Sequence, residues 1–336
     1  MKTKLLVLND HEGELAAAPA LTDLQNLADV TIMDRPIAPD DYPTLAQYQV
    51  IFALRERTNL DEAFFVHCPS LELILQSGGH AYHLDQEAAS KRGILVALGR
   101  GAKRPMVIIP ELTFGLILGL TRRIYPLHQQ MVQGEWPEEI GGSIYGRTLG
   151  ILGYGRHGKP IAQIARGFGM KIAAWDRGGD YSADEPDVTR LPIDQLMATS
   201  DVVSVHLRLS DDSQGLISRE LLYKMKPTAL LINTSRGAIV DEAALIDLLS
   251  KGRIAGAGLD VFSVEPLAAD SPLRTLPNVL LTPHIGWKVN DMLHEWMEIA
   301  VSQLESYLAG SLGTTFILNP EAIEVGRKRS GGILNS

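Results

Sequence analysis

Short apolar runs that alternate with helical stretches dominate the N-terminal part of the chain. Five of these runs are rich in leucine and β-branched residues, and they lie at 4–8, 30–33, 50–54, 71–76 and 94–98. A strand that is buried on both faces has a continuous apolar sequence, and strands of a helix-covered parallel sheet are of this kind. The pattern therefore predicts an α/β unit with a parallel sheet.

A second series of apolar runs follows and predicts another, larger α/β unit. Its members lie at 149–152, 171–175, 202–207, 229–233, 256–261 and 279–282. Between the two series, residues 111–123 are apolar almost all round before they become charged, which predicts a long helix that is largely buried. Its burial partner is either one of the two units or a second subunit.

The end of the chain is expected to return to the first unit. Met292, Trp296 and Leu304 have helical spacing and follow the last strand of the second unit. We therefore expect residues 1–99 and 290–322 to form one discontinuous lobe. The other lobe spans 100–289 and includes a crossover helix at 110–134, and the tail at 323–336 is expected to be frayed.

Composition narrows the class of protein. A chain of 336 residues with 45% hydrophobic and 21% charged residues is typical of a globular protein of about two domains. The formal charge of −9 disfavours nucleic-acid binding, which needs clustered cations. The single cysteine, Cys68, allows neither an intrachain disulfide nor a thiolate metal cluster. No metal, membrane span or signal peptide is predicted, so the expected location is the cytoplasm.

A glycine-rich turn stands where a dinucleotide-binding fingerprint would stand. Gly153, Gly155 and Gly158 form the pattern G-x-G-x-x-G directly after a predicted strand and before a helical run. The first glycine permits a tight turn, the second lets the backbone approach a pyrophosphate, and the third lets helix and strand pack closely. Structural glycine turns are common, so the motif alone would be weak.

An acidic residue at the end of the next predicted strand strengthens this interpretation. Asp176 lies 18 residues after Gly158, where a carboxylate can bind the adenosine ribose hydroxyls and repel a 2′-phosphate. This favours NAD over NADP, although the adjacent Arg177 could soften the preference. The alternative is a turn residue at a strand end.

Three polar residues follow apolar strands of the second unit. They are Arg236, Glu265 and His284, and the carboxyl ends of parallel strands are where ligands bind in open α/β sheets. Taken singly, each is more often structural. Together with a dinucleotide site, they are what hydride transfer to a carbonyl requires.

At these positions the sequence resembles the NAD-dependent D-isomer-specific 2-hydroxyacid dehydrogenase family. The matching stretches are 153–158, 233–245, 258–266 and 282–286, within a resemblance that covers about 71–320. The resemblance implies a flavodoxin-like substrate lobe and a Rossmann cofactor lobe. It also implies a homodimer through the 110–134 region, which matches the family's helix that crosses to a second subunit.

The resemblance also implies roles for individual residues. Arg236 would bind the substrate's carboxylate and carbonyl, His284 would be the acid/base, and Glu265 would pair with that histidine. Asp260 would contact the nicotinamide carboxamide. Further cofactor contacts are expected from Arg156, His157, His206, Thr234, Ser235 and Gly286.

Substrate binding is expected around two loops. Ser77, Gly78 and Gly79 lie where the family offers backbone amides to a carboxylate. Arg55 belongs to a segment, 54–58, that resembles the Arg-rich loop of the phosphoglycerate dehydrogenase branch, although no regulatory domain follows. Trp287 stands where a small residue is common, which predicts a more aromatic pocket.

Other departures from the family pattern concern the cofactor lobe. His157 replaces the usual isoleucine before the third glycine, and Arg208 follows His206-Leu207 where the family has proline. The predicted reaction is the interconversion of a 2-oxo acid and the D-2-hydroxy acid with NAD(H).

One rival interpretation stays open, and two others are disfavoured by the sequence. A corepressor-like protein of the same fold would use the dinucleotide for assembly with little turnover. A formate dehydrogenase would carry glutamine in place of Glu265, and a methyltransferase would explain neither Arg236 nor His284.

Overall fold

The chain folds into two α/β units, and the predicted fold class is confirmed. The structure is a computed structural model that describes residues 2–178 and 185–329. One unit contains the residues up to Arg104 together with those from Val289 onward, and the other spans Pro105–Lys288. We call them the N-terminal unit and the central unit.

Twelve strands lie in the described residues. In chain order they are β1 (Thr3–Leu8), β2 (Ala28–Ile32), β3 (Val50–Ala53), β4 (Leu73–Gln76), β5 (Leu95–Leu98), β6 (Thr148–Leu152), β7 (Lys171–Trp175), β8 (Val188–Arg190), β9 (Val202–Val205), β10 (Leu230–Asn233), β11 (Gly256–Leu259) and β12 (Val279–Leu281).

Twelve α-helices connect and cover these strands. They are α1 (Leu21–Leu27), α2 (Tyr42–Leu45), α3 (Glu62–Phe65), α4 (Gln86–Lys91), α5 (Pro105–Thr121), α6 (Ile124–Val132), α7 (Gly158–Gly167), α8 (Ile193–Thr199), α9 (Arg219–Leu222), α10 (Glu242–Ser250), α11 (Asn290–Leu308) and α12 (Ala322–Arg329). This count again refers to the part of the chain that the structure describes.

The N-terminal unit contains a five-stranded parallel sheet in the order β2-β1-β3-β4-β5. This is the strand order of flavodoxin-like folds. All four residues of each of β3, β4 and β5 are buried, as expected for strands covered on both faces. Helix α11 belongs to this unit and buries Met292, Trp296 and Leu304.

The prediction that residues 323–336 form a frayed tail is wrong for residues 323–329. Residues 322–329 form α12, which packs against α4, and a Cβ on Gly93 would lie 2.7 Å from the backbone nitrogen of Gly326. Asn319, which lies three residues before α12, is fully buried and bonds the backbone of Ile94 and Val96. These bonds fix the segment that leads into the helix. Residues 330–336 lie outside the described residues.

The central unit contains a seven-stranded parallel sheet in the order β12-β11-β10-β9-β6-β7-β8. Counted within this unit, the first six strands have the doubly wound order 3-2-1-4-5-6 of dinucleotide-binding sheets, and β12 extends it. The order reverses between β6 and β9, where Leu149 pairs with Val202. The crevice beside this reversal is where such folds bind ligands.

The single crossover helix predicted at 110–134 is instead two helices. α5 begins at Pro105, a residue whose fixed φ suits the first helical turn, and it ends at Thr121. Arg123 then adopts a left-handed conformation with φ 54°, and α6 leaves at an angle of 64°. Within the described residues no single helix is long and apolar enough to cross a membrane, and only α5 and α6 together, across their bend, meet that criterion.

Candidate active site and dinucleotide site

The glycine-rich turn after β6 has the geometry of a phosphate cradle. Gly153 has φ 97°, and a Cβ there would lie 2.7 Å from the carbonyl oxygen of His206. A Cβ on Gly158 would meet the carbonyl oxygen of Gly153 at 2.2 Å, so the start of α7 packs against the turn too closely for any side chain at this position. A Cβ on Gly155 would meet nothing within 4 Å. The open space therefore lies at the second glycine, and these positions fit a pyrophosphate.

Two histidines beside this turn are uncharged at neutral pH. Burial, with Arg156 and Arg236 adding to it, lowers the pKa of His157. Burial and the neighbouring His157 lower the pKa of His206 to about 3, and its Nε2 lies 2.7 Å from Ser204 Oγ. Positive charge toward a phosphate is thus left to the backbone amides at the start of α7 and to the exposed Arg156.

Asp176 lies directly beside the glycine-rich turn. The backbone N–H of Tyr154 donates to its Oδ1, and Arg190 Nη1 donates to its Oδ2 at 2.8 Å. Arg177, which was considered a modifier of this carboxylate, instead pairs with Asp212 at 3.0 Å. Sequence reasoning missed Arg190 because β8 has only three residues and no apolar run.

The loop after β10 is folded by its own side chains. The carboxamide of Asn233 accepts a hydrogen bond from the backbone N–H of Ser235 and donates one to the carbonyl oxygen of Arg236, both at 3.0 Å. A Cβ on Gly237 would lie 1.9 Å from the carbonyl carbon of Phe262, so the loop packs directly on the segment after β11.

Three further bonds hold the residues of this loop that are predicted to bind cofactor or substrate. Thr234 Oγ1 lies 3.1 Å from Thr113 Oγ1 of α5, and both residues are buried. The Ser235 hydroxyl donates to the carbonyl oxygen of Leu207. Arg236 is half-buried in extended conformation, and its Nη1 donates to the carbonyl oxygen of Ser235 at 2.7 Å.

Asp260 ties the end of β11 to the turn after β12. Its Oδ1 accepts from the hydroxyl of Thr282 at 2.5 Å and from the backbone N–H of Ile285 at 2.8 Å, and its Oδ2 accepts from the N–H of Gly286 at 2.9 Å. Asp260 is fully buried, and this burial raises its pKa although the three donors oppose the shift. The structure thus gives Asp260 a positioning role, and its nicotinamide contact stays a prediction.

The turn that Asp260 holds carries His284 into contact with Glu265. His284 adopts φ 52°, its backbone N–H donates to the carbonyl oxygen of Asp260, and its Nδ1 lies 2.6 Å from Glu265 Oε2. Burial raises the pKa of Glu265, but bonds from His284 and the N–H of Phe262, with the charge of Arg236, bring it below the usual value. Glu265 is therefore a carboxylate at neutral pH, and it orients the ring with Nε2 directed away from it.

The predicted carboxylate-binding loop of the N-terminal unit packs around Arg55. The hydroxyl of Ser77 accepts from the N–H of Arg55 at 2.7 Å, and a Cβ on Gly78 would lie 2.5 Å from Arg55 Nη1. A Cβ on Gly79 would meet nothing within 4 Å, so its backbone faces open space. The guanidinium of Arg55 lies 5.7 Å from the Trp296 ring centroid.

Three further residues that the sequence singled out are Arg57, Arg208 and Trp287. Arg57, the other cation of the 54–58 segment, is held by both carboxylate oxygens of Glu12. Arg208 is exposed in the loop after β9. Trp287 is half-buried in the turn that follows Gly286. No group of three or more potential metal-ligating side chains occurs within 2–178 and 185–329.

The chain is similar to known proteins of one family of enzymes. The sequence profile of the D-isomer specific 2-hydroxyacid dehydrogenase NAD-binding domain matches residues 114–286. A glyoxylate reductase of Korarchaeum cryptofilum is 35% identical over 79% of this chain and 81% of its own length. A glyoxylate/hydroxypyruvate reductase B of Serratia proteamaculans is 34% identical over 86% of this chain and 90% of its own length.

A solved structure extends the comparison to a complex. The D-lactate dehydrogenase of Aquifex aeolicus, with NAD and lactic acid bound, is 26% identical, has a TM-score of 0.78, and is matched over 94% of this chain and 99% of its own. The chain belongs to the D-isomer specific 2-hydroxyacid dehydrogenase family, as the sequence indicated. It is an oxidoreductase, and its cofactor is a nicotinamide dinucleotide.

Two glycine substitutions should separate packing from phosphate binding. Gly158→Ala should lower the free energy of unfolding by about 1–3 kcal/mol, because its methyl group would overlap the Gly153 carbonyl. Gly155→Ala should leave thermal unfolding nearly unchanged and weaken NADH binding at least about tenfold, because its methyl group projects into the cradle. Differential scanning calorimetry and NADH fluorescence titration measure the two effects. Equal NADH affinity in Gly155→Ala and wild type would contradict the cradle.

Proposed function

We propose that this protein catalyses the NAD-dependent interconversion of a small 2-oxo acid and the corresponding D-2-hydroxy acid. The observation that carries the proposal is the hydrogen-bonded pair of Glu265 and His284, held by Asp260 and electrostatically coupled to Arg236. The names of the two reductase relatives favour a two- or three-carbon substrate such as glyoxylate or hydroxypyruvate.

His284 moves the proton in this proposal. Its Nδ1 is engaged by the Glu265 carboxylate, which leaves Nε2 as the nitrogen that protonates the carbonyl oxygen during reduction and removes the hydroxyl proton during oxidation. The bond to Glu265 fixes the orientation of the ring for proton transfer at Nε2. Arg236 orients the substrate through a two-bond contact with its carboxylate and stabilises charge on the carbonyl oxygen.

The cofactor would be held by the central unit. Gly153, Gly155 and Gly158 would accommodate the pyrophosphate, and Asp176 beside them would bind the adenosine ribose, which would favour NAD over NADP. When bound, the dinucleotide supplies or accepts the hydride. The other predicted cofactor contacts, and substrate contacts by Arg55, Ser77, Gly78, Gly79 and Trp287, stay predictions.

Replacement of His284 should separate binding from chemistry. His284→Asn should retain NADH affinity within about threefold, while turnover of glyoxylate or hydroxypyruvate falls about 100-fold or more, the usual effect of losing a positioned acid/base. The matched control is His11→Asn, which replaces an exposed histidine whose ring bonds the backbone of Asp34. NADH fluorescence titration and the decrease in absorbance at the reduced-nicotinamide band measure the two quantities.

Two results would count against this function. Unchanged turnover in His284→Asn would remove His284 from the chemistry. Wild-type protein that binds NADH tightly and turns over no 2-oxo acid would favour the corepressor-like alternative.

We also propose a homodimer that forms through α6 and the loop after it. Val132, Trp136, Ile140 and Tyr145 are each at least 70% exposed, and a subunit interface would remove these apolar side chains from water. We call this set the apolar loop surface. The family resemblance at 110–134 points to the same region.

Charged substitution on the apolar loop surface should dissociate the dimer. Ile140→Asp combined with Val132→Asp should give a monomer at micromolar concentrations, because each carboxylate would be desolvated in the interface. Val66→Asp, at an exposed apolar position of the N-terminal unit, is the matched control and should remain dimeric. Sedimentation velocity measures the oligomeric state, and a wild-type monomer at tens of micromolar would overturn the proposal.

The cytoplasmic compartment stays a prediction.

The thiol of Cys68 is buried, and burial raises its pKa to about 12, so this thiol is protonated and inert.

A further inference from the structure

We propose that Arg190 is the residue that sets how strongly the protein discriminates between NAD and NADP. The inference rests on the proposed dinucleotide function and concerns one end of that site. No role for β8 was expected from the sequence. Its residue Arg190 controls the charge that an adenosine ribose meets at Asp176.

The first observation is the ion pair itself. Arg190 Nη1 lies 2.8 Å from Asp176 Oδ2, and the other carboxylate oxygen accepts from the backbone N–H of Tyr154. Both oxygens are therefore engaged by donors of the protein. A ribose at this place meets a neutralised pair, so repulsion of a 2′-phosphate is weaker than an unpaired carboxylate would give.

The second observation is that the guanidinium is held in place. The Arg190 side chain is only 14% exposed, and its guanidinium carbon lies 4.4 Å from the Tyr154 ring centroid. Tyr154 is itself buried, and its hydroxyl donates to Glu185. A planar cation stacked on a fixed ring loses little conformational entropy when it binds an anion, and its fork geometry suits phosphate.

The third observation separates Arg190 from its neighbour Arg177. The Arg177 side chain is 46% exposed and pairs with Asp212, which is 74% exposed. A pair of this kind is screened by solvent and loosely oriented. By contrast, β7 and β8 pair directly in register, with Ala174 opposite Arg190, so the sheet itself delivers Arg190 to Asp176.

Three consequences follow. In the wild type, Arg190 moderates the preference for NAD. Removal of Arg190 leaves Asp176 as an unpaired carboxylate, so discrimination against NADP increases. Removal of Asp176 leaves Arg190 as a cation at the ribose, so affinity for a 2′-phosphate increases.

The experiment measures binding rather than turnover. Isothermal titration calorimetry measures the binding of NADH, NADPH, adenosine 2′-phosphate and adenosine 5′-phosphate. The proteins compared are wild type, the single variants Arg190→Gln and Asp176→Ser, and the double variants Asp176→Ser/Arg190→Gln and Asp176→Ser/Arg177→Gln. Arg190→Gln should raise the ratio of NADPH to NADH dissociation constants about tenfold or more. Asp176→Ser should lower that ratio by a similar factor, and it should strengthen adenosine 2′-phosphate binding selectively.

The double variants identify the cation responsible. The gain in Asp176→Ser should disappear when Arg190 is also replaced and persist when Arg177 is replaced. Loss of the gain on replacing Arg177, or an unchanged dissociation-constant ratio in Arg190→Gln, would overturn the proposal. Should Arg190→Gln fail to fold, the comparison of Asp176→Ser with Asp176→Ser/Arg177→Gln still decides it.

Failure of the underlying function is distinguishable. Wild-type protein that binds neither dinucleotide would overturn the proposed function and this inference together. Wild-type protein that binds both but reduces no 2-oxo acid would overturn the catalytic proposal alone.

Discussion

The buried carboxylate of Asp260 is the constraint on which the proposed chemistry depends. Three donors from the segment after β12 converge on its two oxygens, so the ends of β11 and β12 are joined at one point. The donors Thr282, Ile285 and Gly286 flank His284 on both sides, so their bonds to Asp260 hold the turn in which His284 adopts φ 52°. The orientation of the histidine ring toward Glu265 is thus a product of a side chain that need not touch substrate.

In the central unit, hydrogen bonds and neighbouring charges keep some titratable side chains ionised, whereas burial keeps others neutral. Glu265 remains ionised because His284, the Phe262 amide and Arg236 outweigh its partial burial. His157 and His206 are kept neutral by burial, so they add no charge that would compete with Arg236 for an anionic substrate. The same unit therefore maintains one carboxylate–histidine pair beside one guanidinium, which is what polarisation of a 2-oxo acid requires.

The strand pattern allowed the fold class to be predicted, because parallel strands buried on both faces have nearly continuous apolar sequences. β8 was missed since it is short and its middle residue is exposed. The crossover segment was assigned as one helix because apolar composition does not reveal a helix break such as the left-handed residue Arg123.

Only some of the site contacts could be predicted from the sequence. Positions after strand ends identified Asp176, Glu265 and His284, but the ion-pair partner Arg190 lies on a strand with no sequence signal. The internal bonding of Asp260 was equally invisible, because it depends on backbone N–H groups whose direction only the folded turn defines.

The most direct test of the account compares wild type with Glu265→Gln in kcat/KM for reduction of a 2-oxo acid and in NADH affinity. Glutamine keeps the size of the side chain but removes the carboxylate that faces His284 Nδ1, so kcat/KM should fall about tenfold or more while NADH affinity stays within about threefold. Equal kcat/KM in the two proteins would show that Glu265 does not act on His284 and would contradict the account.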